Sequence, residues 1–397
     1  MNEIYWVWLK SKKNVRRTAV DRLIMMGFRI RDIYEMHDYS QFDFINKSTA
    51  EQLMDKSLDL AMDIVKRVTL AGAYTVTIDD EEYPPILKNI FQPPLVLYMK
   101  GKHIHWDKLF TFGVVGTRNY TPEGRALTDK LAGDLAEAGC TIVSGMAKGI
   151  DAISACAALE RGADTVAVLG TGIDVIYPKQ HKRLYDKIVE NGVVISEYPP
   201  GTRGSKWSFP QRNRIIAGLS NGILVTQASL KSGTMSTANH AVKACRPVFA
   251  VAANPMDKSF EGCVQLVQNG ANVVFSANDI LKVFPNADLK PIPHVDLDEN
   301  IRLFDKLVDC DRPTNEVINN GVSSENDTEN KSEKTVDLND FSGIEREIME
   351  QLMQGTSHID EIVRALGRTS SEVNVALVML ELKGVVKKLE SNNFVVS

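Results

Sequence analysis

The run Phe209-Pro210-Gln211-Arg212-Asn213-Arg214 sets an aromatic ring, an amide and two guanidinium groups just ahead of the apolar Ile215, Ile216 and Leu219. The apolar spacing predicts a helix facing a core, with both arginines near its start. Cations there oppose the helix dipole and bury poorly, so a bound anion is the reading that accounts for the pair. Phe209, with Trp207 nearby, has the chemistry to stack on a base, and it equally suits plain core packing.

Four glycine turns carry the same message. Gly116-Thr117-Arg118, the run from Ser144-Gly145 through Lys148 to Asp151, and Gly170–Asp174 each follow a short apolar strand, and Ser232-Gly233-Thr234 follows Lys231 and precedes a helix. Each predicts backbone N–H groups at a helix start, where dipole and unpaired donors attract phosphate. One such turn is ordinary. Four on one sheet edge, with Arg118, Lys148 and Lys231 beside them, point to a polyanion site. Other chemistries fail on spacing. No G-x-x-x-x-G-K-[ST] motif is present, which argues against a P-loop ATPase. Gly170-x-Gly172 is followed by Val175 where a dinucleotide fingerprint needs glycine. Gly218-Leu219-Ser220-Asn221-Gly222 matches G-x-S-x-G, but it lies between helix and strand, the reverse of a nucleophile elbow. No catalytic residue and no cofactor is expected. His103 and His105 are read as exposed loop or strand histidines, so no metal is expected either.

The 397 residues carry a formal net charge of −5, which by itself argues weakly against a nucleic-acid partner. The charge is uneven, however. From Tyr198 to Met256 there is no Asp or Glu, while Arg203, Lys206, Arg212, Arg214, Lys231, Lys243 and Arg246 fall in that stretch. It reads as an anion-binding face on an otherwise repelling body. No apolar run is long enough to span a membrane, and Ile4 to Leu9 is too short for a signal sequence. The five scattered cysteines fit a reducing, cytoplasmic setting better than a disulfide framework.

These residues need a scaffold, and the periodicity describes one. Residues 1–66 read as small helices. Extended runs at Leu95–Met99, Phe112–Val115, Thr141–Val143, Thr165–Leu169, Val193–Ile195, Gly222–Val225, Val248–Val251 and Val273–Phe275 alternate, after the first, with amphipathic helices. The fold class is therefore α/β, an extended Rossmann-like parallel sheet covered on both faces, over residues 67–284. Residues 285–340 read as a linker, polar and almost free of apolar residues from Asn319 to Asn339. Residues 341–397 read as three helices and a hairpin, a winged-helix module.

With these motifs in hand, nearly the whole chain resembles the DNA-processing protein A family (DprA, also called Smf). The resemblance rests on Tyr83-Pro84, Gly116-Thr117-Arg118, Ser144–Asp151, Gly170–Pro178, Ser196-Glu197, Phe209–Ser220, Ser232-Gly233-Thr234 and the Phe341–Val396 module. It implies a non-enzymatic protein that binds single-stranded DNA, forms a homodimer, protects incoming DNA and loads RecA recombinase during natural transformation. It places a basic pocket at Arg118 and Lys231, flanked by Arg212 and Arg214. The chain departs from the family at Ser154-Ala155, at Gln227 where glutamate is usual, and at Ala253-Asn254. Losing a glutamate at 227 is expected to make the face more basic.

Two alternatives belong to other classes. A phosphoribohydrolase-type enzyme shares the Rossmann style and the Gly233-Thr234 turn, but needs glutamate three residues after the threonine, where Thr237 stands. A winged-helix regulator would need a basic recognition helix. The stretch Ser370–Lys383, with Arg368 just before it, carries Glu372 and Glu381 against Lys383.

Overall fold

The computed structural model describes residues 2–293, 303–308, 343–353, 357–369, 385–388, 393–396 and scattered positions between 372 and 380. Five helices come first: α1 (Glu3–Ser11), α2 (Arg17–Met25), α3 (Ile30–Glu35), α4 (Lys47–Met54) and α5 (Asp59–Leu70). The apolar start of the chain is α1, whose Trp6 and Trp8 are buried. Burial of an indole leaves its N–H to be satisfied. Trp6 donates to Asp79 Oδ2 at 2.9 Å and Trp8 to the Asp55 carbonyl at 2.8 Å.

Strands β1 (Tyr74–Thr77) and β2 (Val96–Gly101) follow, then an alternation: β3 (Phe110–Val115), α6 (Pro122–Glu137), β4 (Cys140–Ser144), α7 (Ile150–Glu160), β5 (Thr165–Gly172), α8 (Lys182–Asn191) and β6 (Val193–Tyr198). It continues through α9 (Ser208–Gly218), β7 (Ile223–Val225), α10 (Thr234–Lys243), β8 (Val248–Val251), α11 (Glu261–Gln268), β9 (Asn272–Val274) and α12 (Ala277–Leu281). One nine-stranded sheet results, in the order β1-β2-β6-β5-β4-β3-β7-β8-β9. From β6 to β9 every pairing is parallel, as the continuous apolar strands predict. The expectation of a wholly parallel sheet is corrected at one edge. There β2 runs antiparallel to β6 and β1 antiparallel to β2. Strand β1 was not predicted, although Tyr74-Thr75-Val76-Thr77 has the β-branched and aromatic content of a strand.

The order fixes where a ligand can sit. The chain lays β4, β5 and β6 on one side of β3, then crosses back to place β7 on the other. The carboxyl ends of β3 and β7 therefore send their connections apart and open a crevice between them.

The N-terminal helices and the sheet share one hydrophobic core, within a compact unit spanning Met1–Pro313. That unit includes α13 (Leu303–Leu307), inside the stretch read as linker. Helix α7 explains the need for it. Its sequence is apolar nearly all round, and such a helix must be covered on every side. Helix α13 packs on α7 and brings in the buried Phe304. The polar stretch 319–339 lies outside the described residues.

The second unit, Thr314–Ser397, holds α14 (Ile344–Leu352), β10 (Ser357–His358), α15 (Ile359–Leu366), β11 (Val386–Lys388) and β12 (Asn393–Val396). Its small sheet has the order β10-β12-β11, so the hairpin is present with one extra strand beside it. Ile348, Met349, Leu352, Ile362, Leu377 and Phe394 make its core. Most of the expected third helix, Ser370–Lys383, lies outside the described residues.

Candidate nucleic-acid interface

The crevice between β3 and β7 holds a cavity of about 480 Å³. Its walls come from four connections. The turn after β3 supplies Gly116, Thr117, Arg118 and Asn119. The turn after β4 supplies Ala147 and, at the start of α7, Asp151. The segment before and within α9 supplies Lys206, Phe209, Arg212, Asn213 and Ile216. The turn into α10 supplies Ser229, Ser232, Gly233, Thr234 and Thr237.

These turns are braced against one another. The Thr117 N–H donates to the Gln227 carbonyl at 2.8 Å, and the Ile150 N–H donates to the Thr117 carbonyl at 3.1 Å. Gly149 has φ +81°, and a Cβ there would lie 2.4 Å from the Thr117 oxygen. Only glycine allows the two turns this approach. The Thr234 N–H donates to Ser232 Oγ at 3.2 Å, and the Gly145 N–H to Asp151 Oδ2 at 3.1 Å. Several of the N–H groups expected to face a phosphate are thus already bonded within the protein. The cations and side-chain amides and hydroxyls are left to meet an anion.

Arg212 and Arg118, which both line the cavity, have opposite fates. Arg212 is 4 % exposed. It donates to the Gly145 carbonyl at 2.7 Å and to the Val168 carbonyl, and its Nε reaches Asn213 Oδ1 at 3.2 Å. Burial lowers its pKa, with the Asp151 carboxylate opposing that shift. Burial likewise pushes the Asp151 carboxyl above its ordinary value, against the pull of Arg212 and of backbone N–H donors. The pair is a buried floor to the cavity. Arg118, by contrast, is exposed, with its guanidinium 5.7 Å from the centre of the Phe209 ring.

Arg214 leaves the cavity altogether. Two residues on a helix lie about 200° apart around its axis, so Arg212 and Arg214 cannot share a face. Arg214 lines a separate cavity of about 310 Å³ against α1 and α2. There its Nη2 meets Glu197 Oε2 at 2.6 Å, and Lys10 Nζ meets Glu197 Oε1 at 3.0 Å. Burial pushes the Glu197 carboxyl up, but Lys10 and Arg214 outweigh it and hold the pKa below the usual value.

Of the other residues singled out in the sequence, Gly116, Phe209, Asn213, Ser232, Gly233 and Thr234 line the cavity. Ser144 and Gly145 are buried behind it. Lys148 and Lys231 are exposed, each one residue from a lining position, Ala147 and Ser232. Gly170 does not line it. A Cβ on Gly170 or Gly204 would come within 2.7 or 2.6 Å of the Phe209 ring, so these glycines seat that ring. Gln227 is fully buried, accepting from the Thr121 N–H at 3.0 Å and donating to Thr121 Oγ1 and Ser259 Oγ at 3.0 and 2.9 Å. It braces three turns and adds nothing to the charge of a surface, contrary to the expectation. The acid-free stretch is also not one face, since Arg246 donates to the Ile86 carbonyl at 3.3 Å and Arg214 faces the helices. Sequence reasoning missed Asn119, Asp151 and Lys206 as lining residues. The signal was partial: Asp151 ends the glycine run and Lys206 belongs to the acid-free stretch. Ser220 is buried and donates to the Ile216 carbonyl at 2.7 Å. His103 and His105 are exposed in the loop after β2, with His103 Nδ1 3.0 Å from Glu82 Oε2. Among the described residues, no His, Cys, Asp and Glu cluster could hold a metal ion and no helix is long and apolar enough to cross a membrane.

The matching family models and the curated relatives agree on one family. The family model for DNA recombination-mediator protein A matches residues 74–285, and the model for the DprA winged helix domain matches residues 332–392. Protein Smf of Synechocystis sp. is 35 % identical over 317 residues, covering 79 % of this chain and 77 % of its own. DNA processing protein DprA of Bacillus subtilis is 39 % identical over 219 residues, covering 55 % and 74 %. The crystal structure of DNA processing protein A from Streptococcus pneumoniae superposes with a TM-score of 0.62 at 33 % identity, covering 70 % of this chain and 97 % of that one. A family model spanning more than half the chain, on a sheet whose crevice is built from the family's own motifs, places this chain in the DNA recombination-mediator protein A (DprA/Smf) family.

Proposed function

We propose that the crevice cavity binds the sugar-phosphate backbone of single-stranded DNA, without catalysing a reaction on it. One observation carries this reading. Among the residues lining the cavity the only carboxylate is Asp151, buried beside Arg212, while Arg118 and Lys206 stand exposed at the wall. An anion entering there meets exposed cations, and the one acid is buried. Hydrolysis has no support in the same geometry. Thr237 occupies the position where a phosphoribohydrolase needs glutamate, and it is buried. Fluorescence anisotropy with a labelled oligonucleotide, single-stranded or in a duplex of the same length, is the test. Clear preference for the single strand is expected, and equal affinity for the duplex would transfer the function to the winged helix. Purified protein is expected to release no base from AMP.

The family resemblance extends the reading to protection of incoming DNA and to RecA loading. It predicts faster RecA filament assembly on a protein-coated single strand when this chain is added, and no acceleration would remove that part alone. The resemblance also predicts a homodimer. Strand β9 pairs only with β8 among the described residues, and Val273 and Phe275 at its end are exposed, with Phe275 at 78 %. An exposed apolar strand edge favours pairing with a second copy. Phe275→Arg is expected to yield monomers in light scattering. A cytoplasmic location rests on the five widely scattered cysteines of the sequence, a pattern that suits a reducing setting.

A further inference from the structure

The phosphate reading explains why this cavity takes a polyanion, but not why the polyanion should be single-stranded. Aromatic residues next to its wall supply the missing element: Phe209 lines the cavity, and Tyr177 and Trp207 adjoin the lining residues Phe209 and Lys206. Phe209 is half-buried and held in place by the close backbone at Gly170 and Gly204. Tyr177 packs on it, ring centres 5.1 Å apart, and remains 48 % exposed. Two residues before Phe209, Trp207 is 71 % exposed, whereas Trp6, Trp8 and Trp106 are all buried. Two of the cavity's cations each lie over one of these rings. Arg118 lies 5.7 Å from the Phe209 centroid and Lys206 Nζ 5.4 Å from the Trp207 centroid.

Leaving an indole and a phenol in water forgoes a large burial gain, so aromatic surface beside a charged cavity calls for a ligand with flat apolar faces. We propose that Tyr177 and Trp207 form a stacking ledge for unpaired bases of the strand whose phosphates enter the cavity. The inference rests on the phosphate reading and adds to it a selection for single strands. Paired bases in a duplex are stacked on each other and cannot offer their faces, whereas in a single strand each face is free. Stacking accepts any base, so sequence preference is weak. The cations serve twice, meeting phosphate on one side and an aromatic face on the other.

The test compares a thymidine oligonucleotide with an abasic oligonucleotide of equal length, which keeps the phosphates and lacks the bases. Wild-type protein is expected to bind the thymidine strand more tightly. Tyr177→Ala and Trp207→Ala should each lose about five-fold or more on that strand and change abasic affinity little. Trp207→Phe keeps a ring and should restore much of the loss, which separates stacking from misfolding. Intrinsic tryptophan fluorescence should be quenched by the thymidine strand in wild type and not in Trp207→Phe. Equal wild-type affinity for the two strands, or equal losses on both in the alanine variants, would overturn the ledge while leaving the phosphate site standing. Failure of wild type to bind either strand would instead remove the phosphate reading and the ledge with it.

Discussion

Arg118 and Arg212 border the same cavity and carry their charges in different circumstances. Arg118 is exposed at a turn, so its loss should reach the ligand and spare the fold. Counterion release gives a slope of roughly −0.7 per phosphate neutralised on a single strand. Arg118→Ala, and Lys231→Ala at the neighbouring turn, should therefore each weaken binding across all sequences and flatten the salt dependence by about one contact. Surface changes of this kind leave stability within about 0.5 kcal/mol. A salt titration of oligonucleotide affinity with a melting curve checks both. If both variants bind like wild type at every salt concentration, the cavity is not the site. Arg212 should behave in the opposite way. Its removal takes a donor away from two buried carbonyls and the nearest positive charge away from the buried Asp151. Leaving buried polar groups short of a partner costs about 1–3 kcal/mol each. Arg212→Ala should lower the melting temperature sharply, and any loss of DNA binding should follow the loss of fold.

Helix α9 is the element that divides the two cavities. Phe209, Arg212, Asn213 and Ile216 face the crevice, while Gln211 and Arg214 face the N-terminal helices. Glu197 at the end of β6 ties this helix to α1 through Arg214 and Lys10. Because those cations hold the folded-state pKa of Glu197 below its unfolded value, the tie contributes stability at pH above that unfolded value, about 4.3. The contribution falls as pH drops through the folded pKa and the carboxyl protonates in both states. Glu197→Gln should consequently melt lower than wild type at neutral pH and show a flatter melting profile below about pH 4.3. Parallel profiles for the two proteins would mean the triad adds nothing to stability.

At the scale of the whole molecule, the compact unit ends near Pro313 and not at Pro285. The Ile292 N–H donates to the Glu137 carbonyl at 2.8 Å, Arg125 pairs with Asp305 at 2.8 Å, and Phe304 covers α7. A chain of residues 1–313 should keep the melting temperature of the first unit and its affinity for single-stranded DNA. A chain of residues 1–285 exposes the apolar outer face of α7 and should melt several degrees lower. Equal melting of the two truncations would mean that α13 is dispensable, and loss of binding in the 1–313 chain would assign the main site to the winged helix.

The sequence by itself determined most strands of the large sheet, the alternation and the glycine turns, because apolar periodicity and turn residues act over a few neighbours. The parallel strand runs and the motifs that identify the family were legible on those terms. What it left open was every question of which side a residue faces once distant segments meet. Arg212 and Arg214 look equivalent two positions apart, yet helix geometry sends one beneath the cavity and the other to a carboxylate contributed by β6. Gln227 reads as a surface charge change until the turns close around it. Gly170 reads as a phosphate turn until Phe209 lies on it. Tertiary structure alone decided these assignments, since burial and partner choice depend on contacts between residues far apart in the chain, such as Arg212 with Val168 and Lys10 with Glu197.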